Sequence, residues 1–302
     1  MLKRVFSLLC FFHLTALGQQ DDFEVVNEAW SRFDPIGSAT QQEFASYNFE
    51  NEVCRISTPT SPNPSVFGAA RASYFRPDVL YSERFFLSVD LTIPDPSLRQ
   101  AVGFLMFISD DPMLGEVNGY TVNYQPADRD LIINRITDEI PLRLAIADAD
   151  AGVELSTELR LVVLYENGEF TALLFERDDL TEPVIEARAT DDAYTSGHHG
   201  VFVFADEPDA SGETDVIFDN YVANELTVPE LSFGRDDEGQ FTLSWPDWAV
   251  HYRLVSGPDL LSLRDQPFVP NEDISNEAPF FLMRPEVDSE DKGFFLLRER
   301  TF

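Results

Sequence analysis

The sequence predicts an all-β protein built as two sandwiches, one large and one small. Three observations predict it. Apolar and polar residues alternate with a period of two along many short runs. Gly, Pro, Asn and Asp separate those runs. No stretch beyond residue 18 keeps a helical period for more than about two turns. The 302-residue chain is 44% hydrophobic and 13% aromatic, so its formal charge of −33 belongs to a folded protein with an acidic surface; disordered acidic chains are poor in aromatics. Such a surface makes nucleic acid and anionic membrane poor partners, because both are repelled over the whole approach. Lys3 and Lys292 are the only lysines, and carboxylate self-repulsion of this size is relieved by salt and by bound divalent cations.

The elements follow in order. Lys3 and Arg4, the apolar run Val5 to Leu17 and the small residues of Ala16-Leu17-Gly18 make residues 1–18 a secretory signal peptide, cleaved near Gly18. No later run reaches the eighteen or more apolar residues of a membrane helix. The expectation is a chain that is secreted or held at the cell surface or in the periplasm, without membrane insertion. Cys54 is then the one cysteine left, in a strand-like Val53-Cys54-Arg55-Ile56, and reads as a buried thiol.

Phe85 to Ile93 puts Phe85, Leu87, Val89, Leu91 and Ile93 on one face and Ser88, Asp90 and Thr92 on the other, a strand with one wet side. Ala101 to Ser109 is continuously apolar and therefore central in its sheet. Tyr120 to Gln125, Asp130 to Ile136 and Leu142 to Ala147 follow as strands. Leu159 to Glu176 holds two extended runs around Asn167-Gly168, the residue pair of a type I′ hairpin turn. Val184 to Ala189, Gly200 to Ala205 and Asp215 to Glu225 complete the large block. The boundary falls at Leu226 to Pro229, dividing residues 19–226 from a small block at 227–302 with strands at Phe241 to Trp245, His251 to Val255 and Phe294 to Arg298. Leu243 and Trp245 point inward in that reading, Thr242 and Ser244 outward, and the small block closes a core of its own.

Several segments then look familiar. The opening Asp21-Asp22-Phe23, the hairpin from Leu161 to Ala172, the turn Ser196-Gly197-His198-His199-Gly200 and the closing Ile217-Phe218-Asp219-Asn220-Tyr221-Val222 together resemble the concanavalin A-like lectin/glucanase superfamily in its laminin-G-like branch. The resemblance implies a jelly roll of two curved antiparallel sheets whose concave face binds glycan. It also implies a structural Ca2+ tying the first strand to the last, held by Asp219 with Asp21 or Asp22. The small block, through Phe241-Thr242-Leu243-Ser244-Trp245-Pro246, Tyr252-Arg253-Leu254 and Ser256-Gly257-Pro258-Asp259-Leu260, resembles a short fibronectin-III-like module, although the family's second tryptophan is replaced near Leu263.

The candidate catalytic motifs are better explained by ordinary surface chemistry. Glu286-Val287-Asp288-Ser289-Glu290 has the E-x-D-x-E spacing of laminarinase-type hydrolases, but it lies in the small block after Pro285, where a solvated loop explains it better. Asp148 to Glu154 lacks the glycine and glutamate positions of an EF-hand. His198 and His199 point to opposite faces of a strand and cannot share one ion. No nucleophile elbow or nucleotide loop is present. Tyr120, Tyr124 and Tyr165 have two readings, a sugar-stacking platform or cross-strand packing, and His199 likewise reads as a glycan hydrogen-bonding group or as a turn residue. The expected function is an exported, non-catalytic β-sandwich that binds extracellular polysaccharide or serves as a surface or matrix module. The alternative is a glycoside hydrolase or polysaccharide lyase with carboxylates scattered through the large block.

Overall fold

The computed structural model describes residues 19–23, 28–50, 53–109, 111–150, 152–206, 212–226, 229–235, 240–246, 249–250, 252–257, 269, 274–277, 280–283 and 294–299. The expected signal peptide, His251 and the Glu286 to Glu290 triplet lie outside the described residues.

In chain order the strands of the large block are β1 (Gln19–Asp21), β2 (Ser31–Phe33), β3 (Ser46–Asn48), β4 (Cys54–Thr58), β5 (Arg71–Ser82), β6 (Arg84–Thr92), β7 (Gln100–Ile108) and β8 (Gly119–Gln125). They continue with β9 (Asp130–Thr137), β10 (Ile140–Asp148), β11 (Glu158–Glu166), β12 (Glu169–Glu176), β13 (Ile185–Thr190), β14 (Ser196–Ala205) and β15 (Thr214–Glu225). Two short helices, α1 (Pro35–Thr40) and α2 (Pro64–Phe67), each start on a proline, whose fixed φ suits the first helical turn.

Two antiparallel sheets pack face to face as a jelly roll. One runs β13-β12-β11-β6-β15-β4-β3, and β1 also pairs with β15; the other runs β10-β9-β8-β7-β14-β5-β2. The interior is filled by alternate residues of both, among them Leu87, Val89 and Leu91 from β6, Leu161 and Val163 from β11, Val102 and Phe104 from β7, and Val201 and Val203 from β14. The first strand closes on the last, with Asp21 opposite Tyr221. At the tip of β11–β12, Asn167 at φ 50° and Gly168 at φ 91° make the predicted turn. Strand β7 is central and buried throughout, as its apolar run requires.

Strand β6 departs from expectation. Ser88 and Asp90, on the supposedly wet face, are buried. Asp90 accepts from Arg160 Nε at 2.6 Å and from Asn220 Nδ2 at 2.9 Å, so a closed polar network covers the outer face there.

The small block contains β16 (Ser232–Arg235), β17 (Phe241–Pro246), β18 (Tyr252–Gly257), β19 (Ile274–Glu277), β20 (Phe280–Met283) and β21 (Phe294–Glu299). A four-stranded sheet, β16-β17-β20-β19, accompanies the pair β18-β21. Leu243 and Trp245 are buried as expected, but Thr242 is buried as well. The core here is shared rather than separate. Trp245, Leu243, Leu254 and Leu297 form one cluster with Val162, Leu173, Phe175 and Leu180 from the outer face of the β11–β12 hairpin and the segment after it. The hairpin is apolar on both faces because both faces are covered.

Candidate ligand groove

Alternation decides which side chains leave the core. Along β8, Tyr120, Val122 and Tyr124 point between the sheets, which sends Thr121, Asn123 and Gln125 to the outer face. The same rule sends out Leu105 on β7, Ile132 and Asn134 on β9, Phe202 and Phe204 on β14, and Arg71 and Ser73 on β5. These residues floor a hollow of about 470 Å³, within the range of small-molecule sites.

One row crosses the middle of that floor. Ser73, Phe202, Gly103, Asn123 and Ile132 are consecutive cross-strand partners on β5, β14, β7, β8 and β9. A Cβ at Gly103 would meet the Val122 carbonyl oxygen at 2.2 Å, so the centre of the row carries no side chain. On either side of it, Ser73 and Asn123 are each only 2% exposed. Asn123 Oδ1 accepts from Asn134 Nδ2 at 3.3 Å, while Asn123 Nδ2 and Ser73 Oγ have no hydrogen-bond partner among the described residues. Leaving such groups buried and unpaired costs about 1–3 kcal/mol each, which a ligand with hydroxyl groups would recover.

The rest of the lining supports the same chemistry. Asn134 Nδ2 also reaches Thr121 Oγ1 at 3.2 Å, and Gln125 Nε2 donates to Asp206 Oδ2 at 2.7 Å. Phe33, Phe67, Phe202 and Phe204 supply ring surface on the β5–β14 side. The lining carboxylates Glu139 and Asp206 are engaged, Glu139 by Arg71 and Asp206 by Gln125.

The residues expected to bind sugar lie elsewhere. Tyr120, Tyr124, Tyr165 and His199 are all buried between the sheets, so none offers a ring face to a ligand. Tyr120 donates to Asp191 Oδ1 at 2.7 Å, and Tyr165 stacks on Phe85 with centroids 5.0 Å apart. His199 stacks on Tyr81 at 4.9 Å, and burial pushes its pKa down to about 3, with the neighbouring His198 adding to the effect. The alternation is as predicted, but the tyrosine-bearing face is the dry one. The polar residues interleaved with those tyrosines, Thr121, Asn123 and Gln125, were the available signal for the groove.

The expected calcium ligands come together only in part: the Asp22 charge acts on Asp219, but Asp21 is turned inward. Both carboxylate oxygens of Asp21 are taken, Oδ1 by the Phe23 N–H at 2.8 Å and Oδ2 by Trp30 Nε1 at 2.7 Å. Asp22 is exposed, and Asp219 accepts from its neighbour Asn220 N–H at 2.7 Å. Burial raises the Asp219 pKa, and the nearby Asp90 charge adds to it. Among the described residues no three His, Cys, Asp or Glu side chains converge on a common point suited to a metal ion. The strand closure that would bring such ligands together is present; the inward turn of Asp21 onto Trp30 removes it from the set.

The chain is a jelly-roll β-sandwich with a polar-floored hollow on one sheet. No family model matches it, and no curated protein does. Among solved structures it is similar to a carbohydrate-binding module, CBM66, from Bacillus subtilis, at 16% identity over 65% of this chain and 96% of that one, with a TM-score of 0.46. A Bacillus subtilis protein of unknown function with a galectin-like fold matches at 10% identity over 68% and 94%, TM-score 0.46. The Ca2+-bound exoplasmic/lumenal domain of VIP36 matches at 12% identity over 70% and 90%, TM-score 0.47. These are likenesses of strand arrangement alone.

Proposed function

We propose that this protein is an exported, non-catalytic β-sandwich that binds an extracellular carbohydrate in the hollow over β5, β14, β7, β8 and β9. The observation that carries the reading is the pair of buried polar groups without partners, Asn123 Nδ2 and Ser73 Oγ, on the floor of that hollow. Amide and hydroxyl groups beside phenylalanine rings suit a ligand that presents hydroxyls on its edges and C–H groups on its faces. The small block, which resembles a fibronectin-III-like module, packs against the outer face of the β11–β12 hairpin on the opposite sheet, and none of its described residues lines the hollow.

A glycan array followed by calorimetry tests this, with and without Ca2+ and at several salt concentrations. Asn123→Leu is expected to weaken binding about tenfold, the effect of one lost buried hydrogen bond of about 1.4 kcal/mol, without lowering the melting temperature. Retention of no glycan under any condition defeats the reading. Release of reducing ends from laminarin or agar would replace it with the hydrolase alternative.

A further inference from the structure

Two diagonal corners of the groove sheet meet above its floor. Arg71 opens β5, one strand from the β2 edge, and Glu139 sits in the turn between β9 and β10 at the other edge. Four inter-strand steps separate β5 from β9, about 19 Å on a flat sheet. The two are also offset along the strands. Arg71 shares its row with Phe204 and Ala101, whereas Glu139 follows Ile136, which pairs with Gly119 at the far end of β8. Yet Arg71 Nη2 lies 2.5 Å from Glu139 Oε2, with the side chains only 14% and 18% exposed. Strong twist and coiling bring such corners together over one face.

Both ends of this strap are anchored. Arg71 Nη1 donates to the Phe67 and Ala69 carbonyls at 2.8 Å each, and the Glu139 N–H donates to the Val117 carbonyl at 2.9 Å. Both side chains line the hollow, with Ser73 and Asn123 beneath. Glu139 Oε1 has no hydrogen-bond partner among the described residues, which leaves an acceptor on the strap itself.

We infer that the Arg71–Glu139 strap makes the groove select the end of a glycan chain, or a short free saccharide, over an internal stretch of the same polymer. The inference rests on the carbohydrate reading above. An internal stretch needs a channel open at both ends, and an anchored ion pair across the diagonal interrupts it. A terminal unit needs one open side, and its hydroxyls find Asn123 Nδ2, Ser73 Oγ and Glu139 Oε1.

The test uses the full chain and a β-glucan and a mannan series, each as disaccharide, hexasaccharide and polymer, titrated calorimetrically. The native protein is expected to bind one copy per chain end, with affinity per chain equal for hexasaccharide and polymer. Glu139→Ala opens the strap while sparing the bonds from Arg71 to Phe67 and Ala69. It should weaken disaccharide binding, through the loss of Glu139 Oε1, while raising polymer affinity per chain about tenfold relative to the disaccharide, or about 1.4 kcal/mol, so that affinity follows chain length. Several native copies bound along each polymer chain would overturn the inference but leave the carbohydrate reading standing, as would a folded Glu139→Ala that still binds only ends. Failure of every saccharide overturns both. If Glu139→Ala does not fold, Glu139→Ser, which is too short to reach Arg71 and keeps a polar group in the turn, carries the same expectation.

Discussion

His199 is a buried histidine whose two ring nitrogens have different fates. Nδ1 accepts the Phe107 N–H at 3.3 Å, so the neutral ring carries its proton on Nε2, which has no acceptor among the described residues. Burial is the main reason its pKa falls from 6.5 to about 3. In that window the unfolded chain binds a proton that the native chain refuses. The contribution is therefore complete above the unfolded value of about 6.5 and is lost as pH falls towards 3, by about 1.4 kcal/mol per pH unit. Urea unfolding should show the native protein losing about 2 kcal/mol more than His199→Phe between about pH 7 and pH 5. Equal losses would mean the ring is hydrated or partnered. Asp130 works in the opposite sense. Burial raises its pKa to about 6, helped by a hydrogen bond and charge from Asp148, its directly opposite partner. The native state holds this proton up to higher pH than the unfolded state does, so stability falls as pH rises from about 4 through 6. Asp148→Asn should flatten that slope and raise the melting temperature at about pH 7.

At the scale of the element, two glycines rank differently for stated reasons. Gly168, at φ 91° in the β11–β12 turn, has its nearest prospective Cβ contact at 3.4 Å, so Gly168→Ala meets only conformational strain of about 1–2 kcal/mol. Gly197 sits where the β14 register shifts against β5, beside Phe107 at φ 58°. A Cβ there would fall 2.4 Å from the Phe107 carbonyl carbon, which is backbone and cannot swing away. Gly197→Ala should cost more than about 3 kcal/mol or abolish folding. Equal effects of the two substitutions in urea unfolding would count against the bulge. The hairpin was legible because Asn-Gly has few other uses between alternating strands; the bulge was not, because its cause is a strand remote in sequence. Strand β8 makes the same point for the site. Tyr120 to Gln125 reads as a strand at once, but a period of two marks two faces without saying which one is wet. Burial of Tyr120, Val122 and Tyr124 against the facing sheet decides that, and only then do Thr121 and Asn123 become groove residues.

At the scale of the molecule, the small block covers the outer face of the β11–β12 hairpin. Val162 and Leu173 are cross-strand partners on that face, and with Phe175 they pack into the cluster around Trp245. Truncation after residue 226 should therefore expose an apolar patch, read as increased binding of a hydrophobic dye and reduced solubility, with the β-sheet circular dichroism retained. A truncated chain as soluble and dye-silent as the whole would show that the two blocks do not share this core. Trp245→Ala should cost about 3–5 kcal/mol, the range for a buried large aromatic. Because the cluster is shared, that loss should also weaken protection of the β11–β12 hairpin in hydrogen exchange.

Local pattern was enough for the all-β class, the central place of β7, the Asn167-Gly168 turn and strands β4, β6 to β15, β17, β18 and β21, because period, composition and turn chemistry act within about ten residues of chain; β5, a strand of the groove floor, was not read from it. Local pattern also marked Leu243 and Trp245 as core. Only the tertiary structure decided which face of β8 meets water, that Asp21 turns onto Trp30, that the hairpin is covered on both sides, and that Arg71 reaches Glu139 across the sheet. Each of those depends on the packing of two sheets, or on the twist that brings their corners together. Such contacts join residues far apart in sequence, and no local pattern encodes them.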